Sequence, residues 1–280
     1  MSKPIPLIMV PGLLCGQRIF EAQAEVLAEH APITFAGTTS FDSIEAMAQA
    51  ALSSAPERFA LCGFSMGGYV CLEILRRAPE RVDRLALIST NARPDSESSR
   101  EFRRNLLAVS GAGRFREAVD MVLHHLLPET RRGETKLTEL FHAMAREVGP
   151  ADFERQQHAI MARPDGRHDL AAISCQTLVL CGRDDPLMPL DMHLEMAAAI
   201  ADATLVVLPG CGHLATIEKS REVAEQLCLW YRAWPGAIDS SLTGTSSVGS
   251  TLGRQRPSSC IADHASYQVS SVGRSRAPKR

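Results

Sequence analysis

Phe59-Ala60-Leu61-Cys62-Gly63-Phe64-Ser65-Met66-Gly67-Gly68 is the stretch that decides how this chain folds. An apolar run of strand length, Phe59 to Cys62, meets a serine flanked by glycines, and a segment of helical periodicity then runs from Met66 to Arg77. A serine lifted on a tight strand-to-helix turn needs small residues two before and two after it, because side chains there would strike the neighbouring strand and helix. Gly63 and Gly67 meet that need. The N-terminus of the following helix also aims free N–H groups at the serine, which favours developing negative charge there.

On either side of this turn, short runs rich in Val, Leu and Ile recur at Leu7 to Val10, Ile33 to Ala36, Leu85 to Ser89, Thr177 to Cys181 and Thr204 to Leu208. Helical stretches lie between them, at Gln17 to His30, Ser43 to Ser54, Pro189 to Ile200 and Ala215 to Trp230. Asp42 and Ser43 offer a cap to the second helix, with Glu45 in its first turn, and Pro79 stops the third. Strands that read as nearly continuous apolar runs are buried on both faces, which is the signature of a parallel sheet covered by helices. The expected fold class is therefore α/β, with a mostly parallel central sheet flanked by helices.

Between Asn91 and Ser174 the strand signal disappears and charged helical segments take over, near Arg100 to Ser110, Arg114 to Leu127, Lys136 to Val148 and Ala151 to Met161. Such an insertion between two strands is expected to form a helical cap over the carboxyl ends of the sheet, where open α/β sheets place their ligands. The expected division is a core over 1–90, a cap over 91–174, the rest of the core over 175–236 and a tail over 237–280. The tail turns to Ser, Gly, Thr and Arg with no periodic apolar face, and is expected to be disordered.

Composition narrows the function classes. The 280 residues are 45% hydrophobic and carry a formal net charge of −2, with Lys and Arg scattered rather than gathered into a stripe, so nucleic acid is not an expected partner. No apolar run approaches the roughly 20 residues that span a bilayer. The first run, Ile5 to Leu14, is preceded only by Lys3 and followed by no small-x-small cleavage site, so a buried strand is the better reading than a signal-peptide core. A soluble cytoplasmic protein is expected. The eight cysteines include no C-x-x-C pair and suit reduced, buried thiols, and the nine histidines offer no ligand spacing for zinc, so neither metal nor cofactor is expected.

The Gly63-Phe64-Ser65-Met66-Gly67-Gly68 turn in its strand-helix setting resembles the nucleophile elbow of the α/β-hydrolase superfamily, and the resemblance extends over roughly residues 4 to 233. It implies a serine, acid, histidine order along the chain. Cys181-Gly182-Arg183-Asp184-Asp185-Pro186 follows a strand, and the family's G-x-x-D pattern selects Asp185 as the acid, with Asp184 the alternative; an aspartate here would also serve as a turn or cap residue. Pro209-Gly210-Cys211-Gly212-His213 follows the last strand and is similar to the family's histidine loop, which gives His213 the role of base. His193 lies in a helix after the acid loop, and His30, His142, His158 and His168 lack the flanking pattern, so packed or solvated histidines are expected there.

The resemblance also implies an oxyanion hole from two backbone N–H groups, those of Met66 and of Leu13 in the loop Val10-Pro11-Gly12-Leu13-Leu14. The family often starts that loop with His-Gly. Here the first position is Pro11, which removes any polar support from a histidine side chain but leaves a backbone donor available. A serine nucleophile implies acyl chemistry on a small-molecule substrate, with a carboxylic ester or thioester of a small to medium, largely apolar compound as the expectation. Carbon-carbon bond hydrolysis and cofactor-free perhydrolysis are alternatives within the fold. A ligand sensor that keeps the pocket is the alternative outside enzymes.

Overall fold

The computed structural model describes residues 4–232; the expected disordered tail lies outside the described residues. Six strands form one parallel sheet in the order β2-β1-β3-β4-β5-β6, with β1 at Leu7–Val10, β2 at Ile33–Phe35, β3 at Phe59–Phe64, β4 at Val82–Ile88, β5 at Gln176–Gly182 and β6 at Ala203–Leu208. Pairing is in register across the centre, where Met9 faces Cys62 and Cys62 faces Ala86. The chain moves outward from β1 to β2, then returns to the other side of β1 with β3. That reversal puts the switch point between β1 and β3, and the loops leaving their carboxyl ends are Pro11 to Cys15 and the turn at Ser65.

Alternate strand residues divide into two cores. Leu7, Met9, Cys62, Ile88 and Leu180 pack on the side covered by α1 (Glu21–Leu27) and α9 (Ser220–Arg232). Ile8, Val10, Leu61, Leu87 and Val179 pack on the side covered by α2 (Ile44–Ser54), α3 (Met66–Arg77) and α7 (Leu190–Ala199). With both faces covered, most positions of these strands are apolar, which is why they lack alternation in sequence; Asp83 and Arg84 on β4 and Thr177 on β5 are the buried polar exceptions.

Two helices differ from their sequence reading. The stretch from Gln17 starts as a 3-10 turn, Gln17–Phe20, and α1 stops at Leu27, with the Leu27 carbonyl accepting from the N–H groups of both His30 and Ala31 in the turn before Pro32. The stretch from Ala215 is broken at Lys219 (φ −133°, ψ 47°), separating α8 (Ala215–Glu218) from α9. By contrast, α2 begins where its sequence places it, with the Ser43 hydroxyl accepting the Ala46 N–H.

Between the adjacent strands β4 and β5, residues 91–174 hold α4 (Glu97–Gly111), α5 (Phe115–Leu126) and α6 (Thr135–Ala162). Helix α6 breaks at Gly149 (φ 76°), immediately before Pro150, whose ring and missing N–H interrupt the ladder. Among the described residues no helix is long and apolar enough to cross a membrane.

Candidate active site

Ser65 sits at φ 52°, ψ −116°, a backbone geometry that few non-glycine residues hold. Three bonds fix it there. Its N–H donates to the Ile88 carbonyl at 2.9 Å, while its own carbonyl accepts from the Gly68 N–H at 2.9 Å and from the Thr90 hydroxyl at 2.8 Å. The glycine requirement is steric. A Cβ on Gly67 would lie 2.0 Å from the Val10 carbonyl oxygen, and one on Gly63 would lie 2.5 Å from that of Gly67, so either side chain would push the turn off the sheet.

The sheet then delivers the other expected residues to this turn. His213 Nε2 lies 2.9 Å from Ser65 Oγ, and His213 Nδ1 lies 2.8 Å from Asp185 Oδ2. All three side chains are buried: Ser65 is 8% exposed, Asp185 5% and His213 1%. Because a carboxylate can only accept, Nδ1 carries the proton, and Nε2 is left to accept from the serine hydroxyl. The second carboxylate oxygen of Asp185 accepts the N–H groups of Leu187 and Met188, each at 2.9 Å, which fixes the carboxylate beside the imidazole. The alternative acid, Asp184, forms no hydrogen bond or ion pair with His213; its N–H donates to the Cys211 carbonyl at 2.9 Å and ties the two loops together.

Leu13 and Met66 both line the cavity at Ser65. Met66 is the first residue of α3, so its N–H has no acceptor within the helix. Among the described residues no hydrogen bond claims the Leu13 N–H, whereas that of the next residue, Leu14 (φ 59°), donates to Gln156 Oε1 at 3.0 Å. Two donors are thus left unspent beside the serine.

Sequence reasoning missed the support around His213. The Glu218 carboxylate accepts the N–H of Gly212 at 2.8 Å and of Leu214 at 2.9 Å, so it brackets the histidine from both sides. The His213 N–H donates to the Leu126 carbonyl at the end of α5, at 3.3 Å. A glutamate five residues beyond a histidine carries no sequence signal of this kind.

His193 is fully buried behind the acid loop, with Nδ1 3.4 Å from the Pro189 carbonyl oxygen, and burial takes its pKa down to about 4. His142 is buried beside Asp120. Cys15 also lines the cavity, but burial pushes its thiol up to about 12, so it is not a thiolate nucleophile at neutral pH. All seven described cysteines are unpaired, and among the described residues no three His, Cys, Asp or Glu side chains gather as a metal set.

The cavity measures about 250 Å³. Leu13, Phe64, Leu187, Met188 and Leu214 line it from the sheet side, and Leu106, Val122, Leu126 and Ile160 from α4, α5 and α6. A buried nucleophile-base-acid series facing a mostly apolar cavity can do acyl transfer.

Comparison with known proteins agrees in kind. The chain is 32% identical over 163 residues to a protein named as a carbamate hydrolase, RutD, from Pseudomonas savastanoi pv. phaseolicola, covering 58% of this chain and 62% of that one. The match thus spans less than two thirds of that relative's length. A thermophilic esterase structure from Thermogutta terrifontis, with malate bound, superposes with a TM-score of 0.74 at 26% identity, over 83% of this chain and 91% of that one. An enol-lactonase from Burkholderia xenovorans LB400 gives a TM-score of 0.72 at 21% identity, over 81% and 92% of the two chains, and shares the fold. Residues 7–226 match the profile of the alpha/beta hydrolase family, a span that takes in the elbow and both loops, and the chain belongs to that family.

Proposed function

We propose that this hydrolase cleaves a carboxylic ester or thioester through an acyl-enzyme on Ser65. The observation that carries the reading is the unbroken series Ser65 Oγ, His213 Nε2, His213 Nδ1 and Asp185 Oδ2, with steps of 2.9 Å and 2.8 Å at its two hydrogen bonds. His213 takes the hydroxyl proton as Ser65 attacks the carbonyl carbon, and returns it to the leaving alcohol or thiol. Water, deprotonated in turn by His213, then releases the acid. The N–H groups of Met66 and Leu13 receive the oxyanion in both steps, and Asp185 holds the imidazole in the required tautomer.

Residues 91–174 serve as a cap in this reading, since α4, α5 and α6 supply the far wall of the cavity. Partners beyond a small-molecule substrate are not needed, and no cofactor enters the chemistry. Carbamate cleavage is the second reading, favoured by the name of the Pseudomonas relative; it uses the same attack on a carbonyl.

Turnover of p-nitrophenyl acyl esters and aryl carbamates by the purified chain, beside Ser65→Ala, tests the proposal. Expected are ester hydrolysis, addition of a fluorophosphonate at Ser65 by intact mass, and a loss of about four orders of magnitude or more in kcat for the variant. A folded wild-type chain that neither turns over nor takes the probe refutes it.

A further inference from the structure

The cavity at Ser65 is mostly apolar, yet one side of it is not. Arg103 of α4 lines it, with its side chain only 12% exposed. Its Nε donates to Asp95 Oδ2 at 2.6 Å and its Nη1 to Gln157 Oε1 at 2.9 Å, which fixes the plane of the guanidinium. Nη2 has no hydrogen-bond partner among the described residues.

Asp95 does not balance this charge by itself. Its other oxygen accepts from Arg163 Nη1 at 2.7 Å, so one carboxylate, 3% exposed, faces two guanidinium groups. Arg163 is already occupied: it lies over the Tyr69 ring at 4.2 Å and donates to the Arg93 and Ile160 carbonyls. Arg103 is the member of the cluster that reaches the cavity with donors to spare.

Donors outnumber acceptors nearby as well. Gln157 Nε2 is buried without a partner among the described residues, and so is Nε of Arg100, one turn before Arg103 on α4. Ser98 and Ser99, in the first turn of the same helix, line the cavity, while none of its described lining residues is an Asp or Glu. Arg103 Nη2 is open rather than buried, so a fixed cation presents accessible donors within a largely apolar wall, an arrangement suited to an anionic group.

We propose that Arg103 is a specificity determinant and that the substrate carries a carboxylate remote from its scissile carbonyl. The apolar wall beside Ser65 takes the connecting carbon chain, and the fixed guanidinium takes the carboxylate, the planar anion that its geometry matches. This inference rests on the hydrolase reading for the identity of the scissile group. The competing account is that Arg103 only pins α4 to α6 through Gln157.

Binding to the full chain bearing Ser65→Ala separates the two, because it needs no turnover. Calorimetry would compare monomethyl succinate, glutarate, adipate and pimelate with methyl alkanoates in which a methyl group replaces the free carboxylate. The expected result is one chain length at which the half ester binds about tenfold or more tightly than its match. Adding Arg103→Met should bring that ratio to about one, and Arg103→Lys, which keeps the charge but not the planar fork, should cut it several-fold. Ratios near one at every length, absence of binding included, overturn the proposal; so does a ratio that survives in either variant, and the lysine variant decides if the methionine one is unfolded. A folded wild-type chain that neither turns over nor takes the fluorophosphonate would refute the hydrolase reading and leave this ratio to be read as before.

Discussion

Arg131 reaches across to Glu218, Nη1 to Oε2 at 2.9 Å, and so joins the stretch between α5 and α6 to the end of α8, the helix that follows the His213 loop. The Glu218 side chain is fully buried, and the same carboxylate holds the N–H groups of Gly212 and Leu214. A buried carboxylate with an ion pair and two backbone donors is well satisfied, and the histidine it brackets has little freedom to tilt. Glu218→Gln replaces one acceptor oxygen by a donor that faces a backbone N–H. We expect kcat to fall by about tenfold to a hundredfold with KM little changed, since the proposed base, His213, is displaced rather than the pocket. Steady-state kinetics on an ester substrate checks this; a change confined to KM would show that Glu218 shapes binding instead.

Gln156 plays the matching part at the loop that carries Leu13, the proposed oxyanion donor. Its Oε1 accepts the Leu14 N–H at 3.0 Å and its Nε2 donates to the Thr38 carbonyl at 3.1 Å, so α6 holds the turn that contains Leu13. Gln156→Leu leaves two buried backbone groups unpaired and lets that turn relax. The expected loss is about tenfold in kcat/KM, with an equal loss of affinity for a trifluoromethyl ketone that mimics the tetrahedral intermediate. If analogue affinity held while turnover fell, the Leu13 N–H would not be an oxyanion donor.

The contrast between these residues and Ser65 shows what a sequence can carry. The elbow is local: strand, glycines, serine and helix are adjacent, and the steric limits at Gly63 and Gly67 demand those residue types in that order. The two loops bearing Asp185 and His213 are legible because each follows an apolar strand whose place in a parallel sheet is fixed by its pattern. Glu218, Arg131 and Gln156 have no such mark. Arg131 and Glu218 are 87 residues apart, Gln156 and Leu14 are 142 apart, and their pairing is decided by how the helices between β4 and β5 pack. The same holds for Arg103, which in sequence is one more charge on an amphipathic helix and in the structure lines the cavity.

His193 makes stability depend on pH. Its ring is fully buried and its pKa is lowered from 6.5 to about 4, by burial first, against the opposing pull of Asp185 and the Pro189 carbonyl. The fold thus holds the neutral ring, whereas the unfolded chain protonates it near the ordinary value. The contribution is fully present above about pH 6.5 and is lost as pH falls through about 4, with a slope of at most about 1.4 kcal/mol per pH unit in that window. Urea midpoints measured from pH 7 to pH 4.5 should therefore fall more steeply for the wild type than for His193→Leu. Parallel curves would mean that the ring is protonated in the fold or accessible to water.

Arg84 tests the far end of the same sheet. It lies near the start of β4, away from the carboxyl edge that carries Ser65, and is 2% exposed. Its Nη1 donates to the carbonyls of Trp230 at 2.5 Å and Tyr231 at 2.7 Å, at the C-terminal end of the described part of α9. The guanidinium also packs over both aromatic rings, at 5.9 Å and 5.8 Å from their centres. Arg84→Met keeps the apolar stem but removes the donor to both carbonyls and the buried cation, and we expect a loss of about 2 to 4 kcal/mol in urea unfolding. Ester turnover per folded molecule should stay within about twofold, because distant sites act nearly independently. A variant as stable as the wild type would mean that water reaches those carbonyls, and that the apolar face of α9 with the Tyr231 hydroxyl bond to the Ile5 carbonyl suffices to hold the helix to the sheet.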